Sequence, residues 1–165
     1  FNQHAQRWQY GMKAKEPGEL VQVDHMTVYC NSQHIKDFKA ACPVTKIMVT
    51  EVYNQATSNT ARQFLEKMQL ELPFPIKSIQ VDGGSEFMAE FEAACQEKGI
   101  ALFVLPPKSP KYNGDVERKN GVSRNEFYSQ YRHEFKLAVI RPALSRYQQL
   151  YNTYRPHQAL AQLTP

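Results

Sequence analysis

The sequence predicts an α/β fold: a mixed sheet with three antiparallel strands followed by parallel strands, and helices on both faces. Three β-rich segments follow one another between residues 20 and 53 without a helical pattern between them, which indicates antiparallel pairing. Strand and helix patterns then alternate between residues 57 and 105. A strand that returns through a helix pairs in parallel with its predecessor, so the second half of the sheet is predicted to be parallel.

The antiparallel part is predicted from three strand-like segments, the first of them rich in Val with alternating apolar and polar residues. The three predicted strands are residues 20–29, 36–45 and 46–53. The third has the clearest alternation, whereas Pro43 weakens the second because proline cannot donate to a β-ladder. We expect these strands to form a meander.

The elements that follow are bounded by capping residues and prolines. A helix is predicted from residue 57 or 58 to residue 72, since Thr57 or Ser58 can cap its start and Pro73 ends it. The later elements are a strand at 76–82, a helix at 86–98, a strand at 100–105, and helices at 112–132 and 137–154. Residues 1–18 are polar and mixed, which predicts a linker or the end of a preceding region, and residues 19–165 are predicted to form one domain.

Positive charge is concentrated in one part of the chain. The formal net charge of the 165 residues is +4. Residues 1–107 contain ten Lys and Arg against twelve Asp and Glu, whereas residues 108–146 contain nine against four. A basic stretch of this kind suits a polyanion, although a solvated basic helix face gives the same composition.

Several classes of protein are disfavoured by the sequence. No apolar run approaches the roughly 20 residues that span a bilayer, and the first residues lack the order of a secretory signal. The three cysteines are far apart, which favours neither a disulfide framework nor a zinc site. We therefore expect a cytoplasmic protein without a membrane partner or a small-molecule substrate.

Three carboxylates lie at positions suited to a metal site. Asp24 and Asp82 each end an apolar strand segment, and Glu117 lies in the predicted helix at 112–132. Hard divalent cations prefer carboxylate oxygens, and three such residues from distant parts of the chain can hold two ions against a phosphodiester. Any one of the aspartates alone is more typical of a turn or a helix cap.

Four segments together carry a family resemblance. They are Asp24 after a Val-rich strand, DGGSEF at 82–87, SPKYNGDVER at 109–118, and YNTYRPHQAL at 151–160 with the final Thr164-Pro165. In this order and spacing they resemble the integrase catalytic core of DDE transposases from bacterial insertion sequences, which is related to retroviral integrases. The resemblance covers about residues 19–165.

The resemblance implies a ribonuclease H-like fold and a catalytic core that cleaves DNA and transfers strands. It implies that Asp24, Asp82 and Glu117 are both the catalytic residues and the metal ligands. The implied cofactor is Mg²⁺ or Mn²⁺, with two ions per active site when DNA is bound. The implied partners are DNA, as element ends and as target, and further copies of the chain in a homo-oligomer of the full-length protein.

The predicted helix that carries Glu117 supplies candidate DNA-binding residues. Helical spacing places Asn113, Asn120 and Arg124 on the face of Glu117, where they can meet bases or phosphates. The other candidates are basic residues that would attract the DNA backbone: Lys111, Arg118 and Lys119. Each of them is also consistent with an ordinary surface charge.

Two other functions are compatible with the same residues. One is a ribonuclease H-like nuclease that only hydrolyses. The other is a catalytically inactive DNA-binding or assembly module, which the intact carboxylate triple disfavours. No helix-turn-helix able to recognise element ends is evident in the sequence, so a third possibility is a folded fragment of a longer protein that is idle in isolation.

Overall fold

A six-stranded mixed sheet forms the centre of the computed structural model, which describes residues 4–165 and, for Pro110, the backbone alone. The strands are β1 (Ala5–Arg7), β2 (Val21–Cys30), β3 (Gln33–Ala41), β4 (Met48–Tyr53), β5 (Ser78–Val81) and β6 (Ala101–Val104). Their order across the sheet is β1-β6-β5-β2-β3-β4. β2, β3 and β4 pair antiparallel, and β5 and β6 continue the sheet in parallel with β2, which confirms the predicted mixed architecture.

The N-terminal segment contributes a strand where the sequence predicts a linker. β1 pairs in parallel with β6, with Ala5 opposite Leu102, and the backbone N–H of Ala5 donates to Oε1 of Glu92 at 2.9 Å. Trp8 then packs edge-on against Phe103 at 5.6 Å between ring centroids. A strand of three residues is too short to show the alternation from which strands are predicted, so only its pairing with β6 reveals it.

Within residues 4–165, four α-helices cover the sheet: α1 (Ser58–Glu71), α2 (Glu90–Glu97), α3 (Gly114–Glu126) and α4 (Leu137–Thr153). α1 begins as predicted, because the Thr57 side chain accepts from the N–H of Thr60 in a capping box. α2 and α3 are shorter than predicted. Short 3₁₀ turns stand at Ser85–Phe87 before α2, and at Pro110–Tyr112 and Tyr128–Gln130 on either side of α3. No helix in the described part of the chain is long and apolar enough to cross a membrane.

The sheet buries apolar residues on both faces. The core against α1 and α2 is the larger and includes Val21, Val23, Phe38, Phe64, Leu65, Ile79, Phe87 and Phe91. The core against α4 includes Ile35, Val52, Ile140 and Leu144. Because neighbouring residues of a strand point to opposite faces, Val21 and Val23 face the larger core while Gln22 and Asp24 face α3. β2 thus holds the large core with one face and presents polar groups to α3 with the other.

Candidate active site

Parallel pairing of β2 and β5 brings two of the three carboxylates to one edge of the sheet. Val21 pairs with Ile79 and Gln22 with Gln80. Asp24 and Asp82 each come two residues after that last pair, Asp24 still within β2 and Asp82 directly after the end of β5. Function in parallel sheets gathers where the parallel pairing ends, and here two carboxylates share that place.

Glu117 joins the two aspartates from α3. A cavity of about 470 Å³ is lined by all three carboxylates and by the turn after β6; its lining residues are Asp24, Asp82, Gly83, Leu105, Pro106, Pro107, Lys108, Ser109, Asn113 and Glu117. Asp82 and Glu117 are exposed to solvent, and Asp24 is half-buried. Within the described residues, no three His, Cys, Asp or Glu side chains already close on a single metal-sized point. The three carboxylates therefore form an open acidic cavity rather than a preformed cage.

Ionisation of the Asp24 carboxylate is disfavoured in the folded protein. Burial is the main cause that raises its pKa to about 6, a backbone hydrogen bond at His25 opposes the rise, and the negative charges of Asp82 and Glu117 add to it. Nδ2 of Asn120 donates to Oδ2 of Asp24 at 3.3 Å. A bound cation would lower the cost of the charge on Asp24, so the cavity favours one.

Gln22 fixes the start of α3 and thereby the position of Glu117. Its Oε1 accepts from the backbone N–H groups of Asp115 and Val116 at 3.1 Å each, and its Nε2 donates to the carbonyl of Tyr112 at 3.1 Å. No side chain at the helix start itself caps α3. A buried amide two residues before Asp24 therefore does the capping, which ties the strand of Asp24 to the helix of Glu117.

The turn that carries Asp82 is tied to β2 on the other face of the sheet. Oδ1 of Asp82 accepts from the N–H of Gly84 at 3.0 Å. A Cβ at Gly84 would lie within 3 Å of the Glu86 carboxylate, so a larger residue here would require the Glu86 side chain to shift. Oε1 of Glu86 lies 2.9 Å from Nδ1 of His25, and the His25 ring stacks on Phe38 at 5.2 Å. The neighbour of Asp24 along β2 thus holds the segment that follows Asp82.

Three of the six predicted DNA-binding residues lie with the carboxylates. Asn113 is buried and lines the acidic cavity. Asn120 and Arg124 line a neighbouring cleft together with Asp24 and Glu117. Lys108, in the turn after β6, also reaches the acidic cavity.

The other three lie elsewhere. Lys111 stands beside Tyr112 in a cavity formed with the N-terminal segment. Arg118 and Lys119 line a third cavity, with the C-terminal segment, and Lys119 is only 2% exposed. Arg118 and Lys119 lie away from the carboxylates because residues one and two positions after Glu117 point away from its face of the helix.

The structure adds three residues to the surroundings of the carboxylates that were not among the predicted site residues: Gln22, His25 and Glu86. Gln22 lies two residues before Asp24 and therefore on the same face of the strand. This spacing is the signal in the sequence that could have identified Gln22 as a neighbour of the site. Its role as a helix cap depends on a contact with residues more than 90 positions away, which local patterns do not contain.

The chain is similar to known integrase cores in sequence. Residues 98–165 match the family model of the integrase core domain. The chain is 31% identical over 91 residues to an uncharacterized 39.2 kDa protein of insertion element IS476 from Xanthomonas euvesicatoria, covering 54% of this chain and 26% of that protein. It is 28% identical over 153 residues to an uncharacterized 31.7 kDa protein of insertion element IS407 from Burkholderia multivorans, covering 90% of this chain and 54% of that protein. The chain thus spans about a quarter of the length of the first relative and about half of the length of the second.

The fold is similar to solved retroviral integrases. One similar chain belongs to the simian T-cell lymphotropic virus intasome in complex with PP2A regulatory subunit B56 gamma. Its TM-score is 0.80 and its sequence identity is 20%, and the match covers 98% of this chain and 58% of that chain. Another is the HTLV-2 integrase catalytic core domain in complex with magnesium, in a trimeric form, with a TM-score of 0.70 and 18% identity over 89% of this chain and 93% of that one. At such identities the likeness concerns the fold. The ribonuclease H-like fold and the resemblance to integrase cores are confirmed.

Proposed function

Given that this chain has the fold of integrase catalytic cores and matches their family model over residues 98–165, we propose that it is the catalytic core of a DNA transposase that cleaves DNA and transfers strands with divalent metal ions. The observation that carries the proposal is the shared cavity of Asp24, Asp82 and Glu117, whose charges act on one another. Cleavage and joining of a phosphodiester need negative charge neutralised beside an attacking oxygen. An acidic cavity beside the basic stretch of residues 108–146 suits that requirement.

The side chains present fit Mg²⁺ or Mn²⁺. The donor set is made of carboxylate oxygens, which hard cations prefer, and the raised pKa of Asp24 marks a site that gains from positive charge. Asp24, Asp82 and Glu117 are the residues that would hold two ions. When bound, the ions would activate the attacking oxygen and stabilise the leaving oxygen. The cavity is open, so the DNA phosphate and water have room to complete the coordination.

The surrounding residues have supporting roles in this proposal. Asn120 orients the carboxylate of Asp24 through its amide, and Gln22 holds the helix of Glu117 against β2. Asn113 lines the carboxylate cavity and Arg124 the neighbouring cleft, and in this proposal both would bind the DNA strand there, Arg124 by donating to a phosphate. Lys111, Arg118 and Lys119 would contact phosphates farther along the DNA.

DNA is the proposed partner, both as element ends and as target. The solved relatives include an intasome and a trimeric core, and for this chain we propose that the full-length protein is a homo-oligomer, since two DNA ends must be brought together. The protein would act on cytoplasmic DNA.

The deciding experiment is Mn²⁺-dependent nicking and joining of short duplex DNA by the chain and by Glu117→Gln. We expect nicked and joined products from the wild-type chain and neither from the variant. Glu97→Gln is the matched control, because Glu97 is an exposed helical glutamate on α2 and its change should leave the products unaltered.

The products also separate the alternatives. Nicking without joining would identify a nuclease that only hydrolyses. Equal activity of Glu117→Gln and wild type would refute the assignment of the site, and binding of DNA with no metal-dependent product at all would identify an inactive module.

A further inference from the structure

The cavity lined by Arg118 and Lys119 lies on the side of α3 that faces away from Glu117. It has a volume of about 460 Å³ and is enclosed by α3, the end of α4 and the C-terminal segment. Its lining contains four cationic residues, Lys46, Arg118, Lys119 and Arg155, and one acidic residue, Asp115. We call it the Lys119 pocket. The proposed catalysis does not use it.

Lys119 is a buried cation without a counterion. It is 2% exposed, and within the described part of the chain its ammonium makes no hydrogen bond or ion pair. Its contact is with the ring of Tyr151, 5.4 Å from Nζ to the centroid. Burial is the main cause that lowers the pKa of Lys119 to about 8; Asp115 opposes the shift, and Lys46, Arg118 and Arg155 add to it.

The acidic groups near the pocket are already engaged by other cations. Oδ1 of Asp115 accepts from Nζ of Lys46 at 2.8 Å. Oε1 of Glu126 accepts from Nη2 of Arg155 at 2.7 Å. Lys119 and the exposed Arg118 therefore remain as cations whose charge no neighbouring carboxylate neutralises through a direct contact.

The pocket is built before any ligand enters. The Tyr151 ring forms one wall of the pocket. Nζ of Lys119 lies over this ring, and Cζ of Arg155 lies 5.2 Å from the ring centroid. The His157 ring packs against the same tyrosine at 4.7 Å, and its Nε2 lies 3.3 Å from the Tyr151 carbonyl. The side chains are thus fixed by packing, so an entering anion meets them without a large ordering cost.

We propose that the Lys119 pocket binds a phosphate group, supplied by a DNA strand that crosses the face of α3 opposite Glu117. A largely desolvated ammonium that contacts an aromatic ring but no anion costs free energy, and an anion in the pocket would lower that cost. Arg118 at the rim can donate from several N–H groups, which matches the oxygens of a phosphate. The inference rests on the proposed function for its choice of DNA, because a terminal or free phosphate has the same chemistry.

The test compares DNA binding by the wild-type chain and by Lys119→Met, in EDTA so that no catalysis contributes. Methionine keeps the unbranched stem on Tyr151 and removes only the charge. We expect duplex binding to weaken by roughly threefold to tenfold and the slope of log affinity against log salt to fall by about one. Lys119→Arg should restore binding. Lys98→Met, an exposed lysine at the end of α2, is the charge-matched control and should leave the slope unchanged.

Thermal unfolding distinguishes a binding site from a structural lysine. If the pocket is an anion-binding site, Lys119→Met should unfold at the same or a higher temperature than wild type in the absence of DNA. Its affinity for DNA should nevertheless be lower. A large loss of stability with unchanged DNA affinity would overturn the proposal. If Lys119→Met does not fold, Arg118→Gln at the exposed rim replaces it, and an unchanged salt slope there would count equally against the pocket.

Inorganic phosphate and pyrophosphate separate this inference from the proposed function. If wild type binds DNA and Lys119→Met binds it equally, the pocket proposal fails and the proposed function stands. If wild type binds no DNA, the proposed function fails; stabilisation of wild type but not of Lys119→Met by either phosphate would then establish the pocket with a free phosphate as its ligand. Absence of both effects would overturn the pocket.

Discussion

Nδ2 of Asn120 on α3 lies 3.3 Å from Oδ2 of Asp24 on β2 and donates a hydrogen bond to it. One turn earlier along α3, Gln22 of the same strand caps the helix start. α3 is therefore fixed to β2 at two points, on either side of Glu117 along the helix. The relative position of Asp24 and Glu117 is set by this contact between strand and helix rather than by the loop before α3.

Gln22→Ala should lower activity more than its effect on stability explains. The change leaves the N–H groups of Asp115 and Val116 without their acceptor, which we expect to cost about 1–2 kcal/mol in the free energy of unfolding. Because α3 also carries Glu117, turnover in a nicking assay should fall. Thr57→Ala is the matched control, since it removes a comparable cap from α1, remote from the carboxylates. A similar loss of turnover in both variants would contradict a positioning role.

Asp82→Asn should abolish nicking and leave the fold intact. Asp82 is exposed, and asparagine can still accept from the N–H of Gly84, so the unfolding temperature should stay close to wild type. Removing one ligand charge should reduce the nicking rate by about two orders of magnitude or more. Retention of the wild-type rate in Mn²⁺ would exclude Asp82 from the site.

The metal-free protein should show a pH dependence that originates at Asp24. Its pKa rises from the ordinary 3.8 to about 6 in the folded state, so the folded state holds this proton at higher pH than the unfolded state. The stability from this group is complete below about pH 4, declines as the pH rises towards 6 and is then constant. Unfolding in EDTA from pH 4 to 7 should show the decline in wild type and a smaller one in Asp24→Asn. Superimposable curves for the two proteins would contradict the raised pKa.

Arg124→Ala should weaken DNA binding without affecting the fold. Arg124 is exposed and lines the cleft that contains Asp24 and Glu117. Loss of one phosphate contact should lower the salt slope of binding by about one. Arg146→Ala, at an exposed position of α4, serves as the control. An identical slope for Arg124→Ala and wild type would place Arg124 away from the DNA.

A buried ion pair next to the site should be needed for stability. Nζ of Lys39 donates to Oδ2 of Asp37 at 2.5 Å, and Thr50 and Tyr128 donate to the same carboxylate. Lys39→Met leaves Asp37 buried without its cation and should destabilise the protein by roughly 3–5 kcal/mol. Asp37→Leu combined with Lys39→Met should recover a large part of that loss in denaturant unfolding. Additive losses in the double variant would show that the two side chains do not act as a pair.

The order of the main elements follows from local patterns in the chain. Alternation in residues 46–53 predicts β4, the cap at Thr57 and the proline at 73 bound α1, and Gly99 stands where α2 ends. The failures involve contacts between distant residues. The helix predicted at 86–98 is replaced at its start by a 3₁₀ turn, in which the Glu86 carboxylate lies against Gly84 and contacts His25, 61 positions away, and no periodicity encodes that contact.

The sequence alone indicated the three carboxylates that share the cavity, because Asp24, Asp82 and Glu117 lie in or directly after elements whose patterns are short-range. It did not specify how they are held. The strand at Ala5–Arg7, the cap from Gln22 and the burial of Lys119 all depend on pairs of segments that meet only after the sheet has formed. Side-chain periodicity assigns a residue to a face, whereas the neighbour it meets on that face is set by the packing of distant elements.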